Sequence, residues 1–139
     1  MKCRIKWLDH RSFVGESASG HSVVMDGAPD AGGRNLGVRP MEMLLLGLGG
    51  CTAFDVVSIL QKSRQQISDC EVEVEAERAD EVPSVFTRIH VHFIVSGREL
   101  DRAKVSKAVS LSADKYCSAS RMLEKAATIT HDFEIVNRD

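Results

Sequence analysis

Glu71, Glu73, Glu75 and Glu77 alternate with Val72, Val74 and Ala76, and this period of two predicts a strand with one wet face and one apolar face. Its acidic run therefore reads first as a solvated sheet face. Pro83 interrupts the pattern. Ile89, Val91, Phe93 and Val95 then resume it, and Gly97 closes the stretch, so the two long strands are expected to form an antiparallel hairpin. Toward the amino terminus, residues 2–8 and 12–16 read as a hairpin turning near Asp9-His10-Arg11, and residues 21–26 add a third short strand before Gly27. Residues 27–39 contain four glycines and a proline without periodicity, which predicts a loop.

The pattern changes at Pro40, a residue suited to the first turn of a helix. From there to about Gln65 the chain is apolar nearly all the way round a helical wheel, and such a helix must be enclosed on all sides. A chain of 139 residues with two substantial helices does not enclose it alone. Gly47, Gly50, Cys51 and Phe54 fall at three- and four-residue spacing, where small residues allow another helix to approach closely. A dimer with buried central helices is the expected solution. Each glycine in a helix costs roughly 1 kcal/mol, so these glycines point to a packing purpose. Val105, Ala108, Val109, Leu111, Ala113 and Tyr116 predict an amphipathic helix over 100–117, followed by a short helix over 121–126 and a final strand from Thr128 through Val136. The expected order is β-β-β-α-β-β-α-α-β in an α+β class, with residues 1–139 as one domain.

Composition narrows the function classes. Hydrophobic residues at 43% and charged residues at 27% are ordinary for a globular protein in water. A net charge of −2 with mixed signs along the chain gives no electrostatic reason to expect nucleic acid or an anionic membrane surface as partner. The apolar stretch from Pro40 is interrupted by Gly47, Gly49, Gly50 and Asp55, so it reads as a buried helix rather than a membrane span. The first eight residues alternate basic and apolar types as a strand does and lack the features of a secretory signal. The chain is therefore expected to be cytoplasmic, where its four cysteines are thiols and any disulfide is transient.

Of those cysteines, Cys51 lies inside the long apolar helix and Cys117 closes the second helix, with 65 residues between them. That separation excludes a local zinc knuckle or a thioredoxin-type pair. If the two act together, the fold must join them. Cys3 and Cys70 lie in expected strands and read as structural thiols. His90 and His92 share one strand face, a spacing that can hold a metal, but no third ligand stands at a recognisable spacing; solvated sheet histidines are the simpler reading. Glu42 stands in the first turn of the long helix, where a carboxylate is favoured by the helix dipole. Arg11 and Arg39 are candidate partners for a reactive sulfur.

The segments Pro40-Met-Glu-Met-Leu-Leu-Leu-Gly-Leu-Gly-Gly-Cys51 and Ala113-Asp-Lys-Tyr-Cys117-Ser resemble the OsmC/Ohr family of osmotically inducible and organic hydroperoxide resistance proteins, and in particular its YhfA-like branch. The resemblance extends along essentially the whole element order. It implies an intertwined homodimer with antiparallel sheets wrapped around two central helices. It also implies a thiol-dependent peroxidase that reduces organic hydroperoxides, with Cys51 as peroxidatic and Cys117 as resolving cysteine. No bound cofactor or metal is implied; an external dithiol of the lipoyl type would return the enzyme to its reduced state. Peroxidatic members pair a glutamate directly after the helix-opening proline with an arginine from an N-terminal loop. Here that position is Met41, Glu42 follows one residue later, about 100° round the helix, and both Arg11 and Arg39 remain candidates for the arginine. The alternative is a dimer that binds a small ligand or senses redox state without efficient turnover.

Ionisation alone does not make a peroxidase. A thiol of pKa about 8.5 is roughly 5% thiolate near neutral pH, so lowering its pKa raises the reactive fraction at most about twentyfold. The rest must come from positioning the peroxide and stabilising charge on the leaving oxygen. Asp55, one turn beyond Cys51, would oppose ionisation if it faced the same space.

Overall fold

The computed structural model describes residues 1–138, and the chain divides into two compact units, Met1–Leu45 and Leu46–Asp139. In the first, β1 (Cys3–Asp9), β2 (Ser12–Ser17) and β3 (Ser22–Met25) form an antiparallel meander in the order β1-β2-β3. The β1–β2 turn passes through His10 in the left-handed region, at φ 47°.

The loop after β3 is organised by a carboxylate that its glycine content does not reveal. Asp26 is buried and accepts hydrogen bonds from the Ser12 hydroxyl and from the backbone amides of Gly27, Arg34 and Leu36. Burial works to raise its pKa, but those donors outweigh it and hold the carboxyl below its ordinary range. A single 3-10 turn, Pro29–Ala31, is the only helical geometry between β3 and Pro40.

The long helix α1 spans Pro40–Lys62, three residues shorter than the apolar pattern predicts. Arg64 takes a left-handed conformation, at φ 62°. The Gln65 amide donates to the Leu60 carbonyl and the Arg64 amide to the Gln61 carbonyl, a Schellman closure made without glycine.

In the second unit, β4 (Gln66–Arg78), β5 (Phe86–Arg98) and β6 (Thr128–Asn137) form a sheet in the order β4-β5-β6. The β4–β5 hairpin is antiparallel as expected. The β5–β6 pairing is parallel, Val91 opposite His131 and Phe93 opposite Phe133, which corrects the expectation of wholly antiparallel sheets. A parallel pair needs a long crossover, and here the crossover holds α2 (Arg102–Leu111), a π turn (Ser112–Tyr116) and α3 (Ser118–Leu123). Asp101 caps α2, accepting from the amides of Ala103 and Lys104.

The alternation in β5 becomes the core of this unit: Ile89, Val91, Phe93 and Val95 are each at most 3% exposed. Leu48, Val56 and Leu60 of α1 and Val105, Ala108 and Val109 of α2 are buried in the same way. Gly49 brings α1 against Val72 and Val74 of β4. The opposite side of α1 is uncovered: Phe54 is 76% and Leu46 58% exposed, and nothing stands near the Cα of Gly47 or Gly50 where a side chain would go. By length and composition α1 passes as a membrane span, with a mean hydropathy of 1.9, and 22% of its most apolar window is buried.

Candidate functional site

Cys51 and Cys117, distant in sequence, meet in the second unit. Cys51 is partly exposed and Cys117 fully buried, and the two side chains lie near enough for Cys51 to act on the Cys117 thiol. Burial pushes the Cys117 thiol up to about 11, with smaller contributions in the same direction from Cys51 and from the charge of Asp55. Cys117 is therefore a protonated thiol at neutral pH, whereas Cys51 is the sulfur that solvent can reach.

The segment before Cys117 departs from the single helix expected over 100–117. Regular α geometry ends at Leu111. The Cys117 amide then donates to the Ser112 carbonyl five residues back, at 2.9 Å, the bond of a π turn. Cys117 itself is extended, at ψ 106°, and opens α3 rather than closing the helix before it: its Sγ accepts from the Ser120 amide at 3.4 Å. The short third helix consequently begins at Ser118, three residues earlier than its sequence pattern indicates.

A polar cluster inside the apolar contact explains the break. The Ser112 hydroxyl lies 2.7 Å from the Thr52 hydroxyl, 3.2 Å from the Thr52 carbonyl and 3.1 Å from Asp55 Oδ2. Both hydroxyl residues are buried, and the cluster ties the first residue of the π turn to the turn of α1 that carries Cys51. Sequence reasoning did not single out Thr52 or Ser112. The signal available was polarity on apolar stripes, Thr52 among Leu48, Val56 and Leu60, and Ser112 following Val105, Ala108 and Val109.

The other candidates are engaged elsewhere. Arg11, Arg39 and Glu42 all lie in the first unit. The Arg11 side chain runs along Gly32 and Gly27 of the loop after β3. Glu42 Oε1 accepts from the Arg39 backbone amide at 2.8 Å, the reach-back half of a capping box, and the Arg39 guanidinium donates to Asn35 Oδ1 and the Gly37 carbonyl. Cys3 is exposed; burial, followed by the charge of Asp69, raises the Cys70 thiol above its ordinary value.

His90 and His92 face β6 instead of a third ligand on their own strand. His90 bonds Thr130 and Asp132, and His92 bonds Asp132 at 2.7 Å and Glu134 at 3.3 Å. The Asp132 carboxylate, then Glu134, holds the His92 imidazole above its ordinary pKa, and His92 in turn lowers that of Asp132. Among the described residues no group of three or more His, Cys, Asp or Glu side chains is arranged to hold a metal ion.

Comparison with known proteins places the chain in a family. The sequence profile of the OsmC-like protein family matches residues 32–132, a span that includes both cysteines. The chain belongs to the OsmC-like family. It is 54% identical over 136 residues to Protein YhfA of Escherichia coli strain K12, with 98% of each chain covered. A structural-genomics structure at 51% identity superposes with a TM-score of 0.90 over 99% of this chain and all of the other. The organic hydroperoxide resistance protein OhrB of Bacillus subtilis, at 20% identity, shares the OsmC-like fold with a TM-score of 0.64, over 96% of this chain and 98% of its own.

Proposed function

We propose that this OsmC-like protein is a thiol-dependent peroxidase that reduces organic hydroperoxides, with Cys51 as the peroxidatic and Cys117 as the resolving cysteine. The observation that carries this reading is the pairing itself: an accessible Cys51 next to a buried, protonated Cys117, brought together from segments that precede and follow the β4–β5 hairpin in the chain. Cys51 attacks the peroxide, an alcohol leaves, and a sulfenic acid remains on Cys51. Cys117 then attacks that sulfur, releasing water and forming a disulfide. A dithiol of the lipoyl type reopens it.

Arg11 or Arg39 is proposed as the cation that positions the peroxide; Glu42, occupied at the start of α1, is the weaker of the catalytic assignments. The uncovered face of α1 with its two open glycines supports a homodimer. The family profile crosses the junction of the two units, which supports one OsmC-like domain over residues 1–139. A cytoplasmic location accords with the need to keep four thiols reduced.

The deciding experiment is peptide mass spectrometry under non-reducing conditions after one equivalent of cumene hydroperoxide, with hydrogen peroxide in parallel. Rapid formation of a Cys51–Cys117 disulfide with the organic peroxide is the expected result. Thiols that stay intact for many minutes would replace this reading with a ligand-binding dimer. The Cys51→Ser protein is expected to consume no peroxide, and Cys117→Ser to accumulate a trappable sulfenic acid on Cys51.

A further inference from the structure

Between α2 and β6 lies a cleft of about 310 Å³, lined on the helix side by Arg102, Ser106, Val109 and Ser110 and on the strand side by His131 and Phe133. It is built entirely from the second unit, and its size is that of a small-molecule site, at the lower end of the roughly 300–1,000 Å³ such pockets span. Arg102, Ser106 and Ser110 recur every four residues, so α2 presents them along one side. His131 and Phe133 are the register partners of Val91 and Phe93, and alternation along β6 turns them toward the helices with those core residues.

The polar side chains of this cleft are left without partners. A serine inside a helix commonly returns its hydroxyl to a carbonyl one turn back, as Ser63 does to Ile59 at 2.7 Å. Among the described residues Ser106, Ser110 and His131 make no side-chain hydrogen bond, although all three are half-buried. Arg102 likewise has no carboxylate partner among the described residues, unlike Arg121, which pairs with Glu124. Its guanidinium lies over the Phe133 ring, 4.9 Å from the centroid, a stacking that restrains the fork while leaving its N–H groups free. The first amides of α2 are taken by Asp101, so recognition in the cleft falls to side chains. Asp132 also borders it, but that carboxylate is engaged by His90 and His92 on the other face of the sheet.

We propose that this cleft binds a small monocarboxylic acid with an apolar body. The carboxylate accepts hydrogen bonds from the Arg102 guanidinium, whose fork suits it, and from the Ser106 and Ser110 hydroxyls; the body rests on Phe133 and Val109. One unpaired cation matches one negative charge, and the acids nearby, Asp101 beside Arg102 in the chain and Asp132 in the lining, disfavour a phosphate dianion. His131 also borders a small internal space with Thr52 and Ser120. A ligand in the cleft thus lies against a residue that meets neighbours of both thiols: Thr52 follows Cys51, and the Ser120 amide donates to Cys117 Sγ. Binding here is independent of the peroxidase chemistry.

The test is a titration of the intact, reduced protein with sodium benzoate and with sodium hexanoate, followed by two-dimensional amide NMR. Saturable shifts centred on residues 102–110 and 129–133 are expected for at least one of the two, complete by about 20 mM. Benzyl alcohol supplies the body without the charge, and inorganic phosphate the charge without the body. Each is expected to bind about tenfold or more weakly, having lost the charge-assisted bonds or the apolar contact. Phosphate binding as tightly as the carboxylates would overturn the choice of ligand, and benzyl alcohol doing so would overturn the role of Arg102. Failure of both carboxylates to saturate, or shifts centred elsewhere, would overturn the site itself. Arg102→Gln changes an exposed residue and should weaken binding about tenfold or more; an unchanged affinity contradicts the assignment. Should that variant not fold, Ser106→Ala is expected to weaken binding about threefold or more, and an unchanged affinity again counts against the cleft.

Discussion

The hydroxyls of Thr52 and Ser112, 60 positions apart in the chain, lie 2.7 Å from each other inside the contact between α1 and the π turn. This bond fixes the turn preceding Cys117 to the turn carrying Cys51. Thr52→Val keeps the side-chain shape and removes one buried hydrogen bond, so it should lower stability by about 1 kcal/mol. Urea denaturation of the variant and the parent protein, with equal slopes, measures the difference.

The two thiols should differ sharply toward alkylating agents. Because Cys117 is raised from 9.0 to about 11, its thiolate fraction near neutral pH is about a hundredfold below that of an ordinary cysteine, and burial reduces access further. Iodoacetamide at pH 7.5 should therefore modify Cys51 well before Cys117. The Cys117 rate should rise about tenfold per pH unit until the protein unfolds. Peptide mapping over time distinguishes the sites, and equal rates would contradict the described environment.

The β5–β6 pairing should be strongest in mildly acidic solution. His92 is raised above its ordinary 6.5, so its contribution is complete below that value and is lost as pH rises through the folded pKa. Asp132 is lowered beneath its ordinary 3.8, so its contribution is present above that value and is lost as pH falls through its folded pKa. Glu73 and Glu75, opposite His92 and His90 on β4, add negative charge on the other side. The melting temperature of the parent relative to His92→Gln should be highest near pH 5–6 and converge toward the variant as pH rises through the raised His92 pKa.

Phe54, three-quarters exposed beside Gly47 and Gly50, is the natural anchor of a dimer contact. If a second copy covers it, Phe54→Glu should weaken association roughly thirtyfold or more, the effect of losing an interfacial anchor worth at least about 2 kcal/mol. Light scattering across a dilution series reads the change. A parent protein that is monomeric at every concentration would remove the dimer from the proposed function.

The element order was legible because period two and period 3.6 are written directly into strands such as Val72–Ala76 and Ile89–Val95 and into the Pro40 helix. What escaped was set by contacts between distant residues. Nothing local marks Ser112 as the start of a π turn; its hydroxyl is drawn to Thr52 and Asp55 from another helix. Nothing in β6 states that it runs parallel to β5, because the crossover that decides it begins 29 residues before Thr128. Glu42 was legible as a helix-start carboxylate, and the reach back to the Arg39 amide is that role. Asp26 was not: a single acid before a glycine-rich loop carries no periodic signal, and only the donors gathered round it distinguish it from a surface charge.

Because the Cys117 sulfur accepts from the Ser120 amide, the first turn of α3 would register the oxidation state of Cys117 if the proposed disulfide forms. A sulfur drawn into a disulfide is reoriented and becomes a poorer acceptor, so the Ser120 amide proton should shift upfield and exchange faster with solvent. One backbone resonance would then follow turnover in the living cell without any label on the thiols.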